Sequence, residues 1–319
     1  MLELSGYSQS RITIISYSDI LETDLMKQNV FLQRYLLLGR DLTGEERTFK
    51  SIRINNLKKN RKLLLKRLNG LGASLKKIDY LRDGYVIEES PFSLGASFEY
   101  LLGHYTLQEA SSQFPVEALG PRPGEAVLDM CAAPGIKTTQ LAAHMENQGA
   151  VIAVDVDRSR LYALENNLER CGVENCVVYH SDVNELDFGE IRFDKVLLDA
   201  PCSGNYVIDG EWFEKRSLED VERNAERQRG LLETAVGLLR EGGVLSYTTC
   251  SLEPEEDELN VQWMLDTCDV KLEGIEGPGS PGLTEVFGER LDNDVDRCTR
   301  FWPDEVETQG FFVAKVVKH

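Results

Sequence analysis

Phe193-Asp194-Lys195-Val196-Leu197-Leu198-Asp199-Ala200-Pro201-Cys202-Ser203-Gly204 is the stretch that decides the fold of this 319-residue chain. A short apolar run ends in an acid and then in Pro-Cys-Ser-Gly. That pattern reads as a buried strand whose C-terminal end delivers a carboxylate, Asp199, and a thiol, Cys202, into a crevice. In open α/β sheets, ligands bind at the carboxyl ends of the strands. A second run of the same kind, Gly243 to Cys250, ends in another thiol.

Outward from that stretch, strand and helix patterns alternate from Glu125 onward. Strands are expected at Ala126 to Met130, Ala150 to Asp155, Cys176 to His180, Phe193 to Asp199 and Gly243 to Cys250. Helices are expected at Lys137 to Met145, Arg158 to Arg170 and Leu218 to Arg240. Such alternation predicts a mostly parallel sheet with helices on both faces. Phe311 to Val317 is read as a last strand, antiparallel at the far edge.

Upstream, apolar spacing predicts a helix over Tyr17 to Asp41. Phe49 to Asn55 alternates like a strand, and Asn60 to Leu68 reads as a basic amphipathic helix ended by Asn69-Gly70. Residues 1–90 are therefore expected to form a helical segment and a small basic α/β module, and residues 91–319 the large domain. Glu88 to Leu119 is read as a connector with helical character, its turns marked by Pro91 and Pro115.

The formal net charge of −19 argues against a general nucleic-acid binder. The charge is uneven, however. Lys50 to Arg82 holds eleven Lys/Arg against one acid, Asp79, which leaves the remainder at −29. That asymmetry is a prompt for a basic docking face, with Arg53, Lys58, Lys59, Arg61 and Lys62 as its candidates, although a charge run is more commonly just a solvated helix surface. Seven cysteines, an odd number with no CxxC pair, point to neither a disulfide framework nor a zinc site. No apolar run reaches the ~18 residues of a membrane helix. A soluble cytoplasmic protein without metal is the default expectation, and, since oligomeric state is not readable from the sequence, a monomer is the simplest one.

Asp129-Met130-Cys131-Ala132-Ala133-Pro134-Gly135-Ile136-Lys137-Thr138 follows the first strand of the large domain. Its small residues let the backbone turn sharply and approach a ligand before a helix starts. It is neither a GxGxxG turn nor a phosphate loop. The spacing resembles the first motif of methyltransferases that use S-adenosylmethionine. Asp155, about twenty residues past Gly135, stands where an acid can accept hydrogen bonds from ribose hydroxyls. Asp182, after the third strand, is a candidate for the adenine edge. Either acid alone is more often a surface residue or a helix cap, a reading that three acids at or just past strand ends, Asp155, Asp182 and Asp199, together weaken.

Asp129 to Gly135, Asp199 to Gly204, and Thr249-Cys250-Ser251 with Glu253, Pro254, Glu255 and Glu256 together resemble the RNA cytosine-C5 methyltransferases of the Sun/Fmu type. The likeness extends to Ser51-Ile52-Arg53-Ile54-Asn55, Gln108-Glu109-Ala110-Ser111-Ser112 and Gly310 to Lys315, and so covers most of the chain from about Ser51. It implies a class I, Rossmann-like fold that binds S-adenosylmethionine and acts on RNA, with tRNA favoured over rRNA by analogy with compact archaeal members. Cys250 would be the nucleophile, Cys202 would assist breakdown of a covalent adduct, and Asp199 would hold the cytosine. Cys131, Ala132, Ala133, Pro134, Gly135, Ile136, Lys137, Asp155, Asp182 and Asp199 would bind the cofactor, with Arg160 beside them.

The resemblance brings a specific chemistry. Cytosine C5 is a poor nucleophile while the ring stays aromatic. A thiolate that adds to C6 makes C5 enamine-like, and a thiolate can leave again. An acid near ring N3 stabilises the adduct when it shares a proton. Two positions depart from the family pattern: Ile136 replaces a second glycine, and Trp302-Pro303-Asp304 stands where Pro-His is usual. Two other readings compete. A DNA cytosine methyltransferase would use Cys202 as nucleophile. A non-catalytic RNA-binding or ribosome-assembly factor would keep the fold alone.

Overall fold

The computed structural model describes residues 27–319 apart from Lys59. The part of the expected first helix before residue 27 lies outside the described residues. What is described of it is α1, Lys27–Leu37. Its Phe31 and Tyr35 bury against Trp212, Phe213, Leu252 and Trp302 of the large domain. The helix therefore does not belong with the small module, because its apolar face finds its partners on the large domain.

The small unit runs through β1 (Ser51–Ile54), α2 (Arg61–Gly70), β2 (Ser74–Lys77), β3 (Gly84–Glu89), α3 (Phe98–Leu101) and β4 (Tyr105–Leu107). Its strands form one antiparallel sheet in the order β2-β3-β1-β4. Asn60 caps α2, its side chain accepting from the Leu63 amide. Leu64 and Leu68 pack on Ile52, Ile54, Tyr85 and Tyr105 to make a separate core. The expected boundary at residue 90 falls inside this unit. The segment read as a helical connector supplies the edge strand β4, which is too short for its alternation to show.

The large domain continues with α4 (Ala110–Leu119), β5 (Ala126–Asp129), α5 (Ile136–His144), β6 (Ala150–Asp155), α6 (Arg158–Cys171), β7 (Cys176–His180), β8 (Phe193–Asp199), α7 (Trp212–Lys215), α8 (Leu218–Leu238), β9 (Leu239–Thr249) and α9 (Glu258–Thr267). Then come β10 (Val270–Leu272), β11 (Ser280–Pro281), the hairpin β12 (Glu285–Val286) and β13 (Glu289–Arg290), β14 (Thr299–Phe301), α10 (Pro303–Val306) and β15 (Phe311–Lys318). Strands β9-β8-β5-β6-β7 are mutually parallel. The fold is α/β with a Rossmann-like, mostly parallel sheet. Strand β15 is antiparallel to β9, as expected, but the sheet continues past it: β14 and β10 pair with its other side and β11 with β14. Apolar residues of β8, β9 and α8, among them Val196, Leu198, Leu245, Leu232 and Ala235, form the main core. Burying such runs on both faces is what parallel strands require.

Candidate active site

From Asp129 at the end of β5, the chain turns into α5 across the ends of β6 and β8. Gly135 opens the helix at φ +93°, and a Cβ there would come within 2.6 Å of Leu164 Cδ1. Glycine is thus required for the loop to lie against α6. Asp155 holds the loop from the side: the Ala133 amide donates to its Oδ2 (2.9 Å) and the Asp157 amide to its Oδ1 (2.9 Å). Arg160 donates to the Ala133 carbonyl, and Asn167 Nδ2 to that of Pro134 at 2.9 Å. Asp155 and Arg160, expected as ligand contacts, are at least partly loop supports. Ile136, at the second-glycine position, begins α5.

Two cavities meet at this loop, and Cys131 lines both. One, of about 250 Å³, is lined by Met130, Asp155, Val156, Arg160, Asp182 and Val183, with Leu231 and Arg227 beyond. Its acids and apolar walls suit a nucleoside: carboxylates take hydroxyls or amines, and Val156, Val183 and Leu231 take a ring face. Asp182 also caps a short turn, accepting from the Asn184 amide at 3.0 Å. The other cavity, of about 270 Å³, takes in Ala132, Ala133, Pro134, Ile136, Lys137 and Asp199, and also Ser112, Asp129 and Gln309.

S-adenosylmethionine fits these residues on one observation in particular. Asp129 is buried, its Oδ2 accepts from Thr138 Oγ1 at 2.7 Å, and its Oδ1 has no partner among the described residues. Burial pushes its carboxyl up to about 7. An orphaned carboxylate oxygen on the cavity wall matches the ammonium of an amino-acid tail. Cys131 is different: burial, with Asp129 and Asp199 nearby, pushes its thiol up, so it stays protonated and serves as wall.

Asp199 ends β8 in reach of two groups. Lys137 Nζ lies 2.7 Å from its Oδ2, and Thr248 Oγ1 of β9 donates to its Oδ1 at 3.0 Å. Cys202 and Cys250 come together just beyond, their Sγ atoms 3.2 Å apart and both side chains partly exposed. Neither thiol lines either cavity; Asp199 is the link to them. Cys250 is held below the ordinary thiol value by the Cys202 S–H, with Lys137 helping against burial and Asp199. Cys202 is pushed up by the same hydrogen bond, by burial and by Glu256. Of the pair, Cys250 is the more readily ionised.

Buried polar groups fix the two thiol loops. The Glu256 carboxylate accepts from the Ser203 amide (2.9 Å) and hydroxyl and from Gln228 Nε2 (3.2 Å). Asn205 Nδ2 donates to the Cys250 carbonyl (2.8 Å) and to that of Gly310 (3.0 Å), and Trp212 Nε1 to that of Ser203 (2.8 Å).

The basic face is rearranged relative to expectation. Arg53 is only 2% exposed and does not face solvent. Its guanidinium donates to Gln108 Oε1, the Ile136 carbonyl, Gln140 Oε1 and Thr139 Oγ1, at 2.8 to 3.1 Å. It fastens the small unit to the start of α5 because β1 is a central strand with all four residues buried. Arg61 pairs with Asp83 and donates to Asn56 Oδ1 at 3.0 Å. Lys58 is half-buried, its side chain close to Gly172, while Lys62 and Lys66 are exposed. Lys59 lies outside the described residues. Trp302, at the other departure from the family pattern, is buried under the Arg300 guanidinium, 4.7 Å from its ring centre.

Sequence reasoning missed Asp129, Ser112, Gln309 and Val156 as cavity residues. Asp129 and Ser112 stood inside quoted motifs, and Val156 directly follows Asp155. Nothing in the sequence marks Gln309 beyond its place before Gly310-Phe311. Among the described residues, no cluster of three His, Cys, Asp or Glu is arranged to hold a metal, and no helix is long and apolar enough to cross a membrane.

Comparison with known proteins gives consistent results. The family described as 16S rRNA methyltransferase RsmB/F matches residues 116–317. A 28S rRNA (cytosine-C(5))-methyltransferase of Mus musculus is 36% identical over 324 residues, 99% of this chain and 40% of that protein. A tRNA (cytosine(49)-C(5))-methyltransferase of Pyrococcus abyssi is 38% identical over 277 residues, 84% of this chain and 88% of that protein. The crystal structure of a methyltransferase homolog protein from Pyrococcus horikoshii superposes with a TM-score of 0.85 at 39% identity, covering 96% of this chain and all of that one. The chain spans less than half the length of the eukaryotic relatives it matches.

Proposed function

We propose, from the premise that this chain belongs to the RsmB/F family of methyltransferases, that it transfers a methyl group from S-adenosylmethionine to C5 of cytosine in RNA through a covalent cysteine adduct. The observation that carries the reading is the pairing of Cys202 and Cys250 at 3.2 Å next to an Asp199–Lys137 ion pair, the thiols and the acid at the carboxyl ends of β8 and β9 or in the loops that follow, and the lysine on the first turn of α5. Asp155 and Asp182 would hold the adenosine and Asp129 the ammonium end. Bound there, S-adenosylmethionine supplies an electrophilic methyl group.

The chain's own residues do the rest. Cys250 adds to C6 as the thiolate, and the electron pair arrives at N3, where Asp199 and Lys137 share the proton that stabilises it. Once C5 is methylated, its proton is lost, the C5–C6 double bond re-forms and the Cys250 sulfur leaves. The Cys202 S–H hydrogen bond steadies that leaving thiolate, which supports a role in release.

tRNA is the favoured substrate: the archaeal relative that this chain covers for most of its length acts on tRNA. The exposed lysines of α2 suit phosphate contacts, which make binding salt-sensitive, and the target base must leave its stack to reach the crevice. We place the enzyme in the cytoplasm, as a monomer. The test is transfer from labelled S-adenosylmethionine to unmodified tRNA and rRNA transcripts. Transfer by the wild type and its loss in Cys250→Ala are expected. An inactive wild type would instead favour an assembly factor, and loss only in Cys202→Ala a DNA-type order of thiols.

A further inference from the structure

Gln309 is 6% exposed, lines the cavity that holds Asp199 and Lys137, and has no hydrogen-bond partner for its side-chain amide among the described residues. Its backbone is fixed: the Gln309 amide donates to Glu109 Oε1 at 3.4 Å, and its carbonyl accepts from Thr308 Oγ1 at 3.2 Å. The amide is not among the buried polar atoms left without a partner, so it reaches the open space of the cavity, where it is free to take a ligand's polar edge.

The location of Gln309 identifies the ligand. Asn205 ties the Cys250 carbonyl to that of Gly310, the next residue after Gln309. Thr249 pairs with Phe312 across β9 and β15. The Gln309 backbone is therefore one residue from a carbonyl tied to that of the proposed nucleophile, and its side chain lines the cavity of the acid proposed to face N3. The adenosine-type cavity does not include it. Asp129 matches the ammonium of an amino-acid tail, whereas a neutral amide matches a neutral polar edge or that tail's carboxylate, two ligands that cofactor affinity tells apart.

We propose that Gln309 contacts the target cytosine and donates from Nε2 to its O2, an assignment that rests on the RNA cytosine-C5 reading above. When the Cys250 thiolate adds to C6, the C5–C6 π pair moves to C5–C4 and the C4–N3 pair moves onto N3. From there the charge spreads through C2 to O2 until N3 is protonated. A donor at O2 thus binds the adduct more tightly than the free base, and so acts on the rate rather than on RNA affinity alone. Asp199 and Gln309 then read adjacent atoms of one pyrimidine edge.

The experiment compares wild type, Gln309→Ala and Gln309→Glu, the last being isosteric but without the donor. Two rates are read: single-turnover methylation of saturating tRNA and rRNA transcripts, and covalent trapping on the same transcripts containing 5-fluorocytidine. The dissociation constant for S-adenosylmethionine is measured alongside. Both variants are expected to slow trapping and methylation by about 10- to 100-fold, with cofactor affinity changed less than about twofold and melting temperature retained. Unchanged rates would overturn the assignment, as would a loss of cofactor affinity matching the loss of rate. If Gln309→Ala fails to fold, Gln309→Glu decides alone. A wild type that neither methylates nor is trapped on any transcript sinks the underlying reading itself, a result separate from the variants' behaviour.

Discussion

The Sγ atoms of Cys202 and Cys250 lie 3.2 Å apart, close enough for one thiol to donate to the other as thiolate. Because that hydrogen bond is the main cause of the lowered Cys250 value, adduct formation is expected to rise with pH through a midpoint below the ordinary thiol range. Cys202→Ala removes the donor, so the rising limb shifts to higher pH. Trapping rates on 5-fluorocytidine RNA across a pH series check this; an unshifted limb would refute it.

The same pair predicts different fates for the two variants. Cys250→Ala should form no adduct and lose methylation entirely. Cys202→Ala should still form the adduct but release it slowly, leaving a protein–RNA band in denaturing gels with ordinary cytosine RNA. An equal loss of adduct in both would leave the thiols without distinct roles.

Asp129 couples cofactor binding to protons. Its folded-state carboxyl value, about 7, lies above the ordinary one, so the folded protein without ligand holds a proton that the unfolded chain has released. Stability is therefore expected to fall as pH rises from the carboxylate range toward about 7, and Asp129→Asn should flatten that slope. An ammonium at Oδ1 would favour the ionised form. Binding of S-adenosylmethionine then releases a proton, and its affinity rises with pH up to about 7. Titration calorimetry in buffers of different ionisation heat measures the released proton; none from the wild type would refute the pairing.

Arg53 and the lysines of α2 should separate stability from RNA binding. Burial pulls Arg53 down to about 10, so it is still protonated at neutral pH. Arg53→Ala leaves several buried acceptors unpaired and should cost about 2–4 kcal/mol of stability, with the salt dependence of RNA binding unchanged. Lys62→Glu with Lys66→Glu should leave the melting temperature alone and reduce the slope of log affinity against log salt by about one per lost phosphate contact. Thermal melts and filter binding at several salt concentrations read the two effects.

Strand ends were legible because parallel strands buried on both faces appear as short apolar runs, and the reading of β6 and β8 matches the observed bounds; the bounds of β7 match too, although it is an edge strand with Val177, Tyr179 and His180 exposed. Asp199, Cys202 and Cys250 were legible for the same reason, since each stands at or just after such a run. Arg53 was not. In a four-residue strand its charge looks like a surface feature, and only the tertiary packing of Gln108, Thr139 and Gln140 around it accounts for its burial. Strand β4 was hidden because three residues carry no usable alternation. The attachment of α1 was hidden because an apolar face does not say which neighbour will cover it.

The hold of Arg53 on the carbonyl of Ile136 has a thermodynamic corollary. A polynucleotide gripping the small unit would pull, in part through this guanidinium, on the first turn of the helix whose preceding loop would cradle the methyl donor. Any change in the donor's affinity produced in this way must be mirrored by an equal factor in the polynucleotide's affinity. Cutting this tether should therefore weaken the coupling between the two binding events.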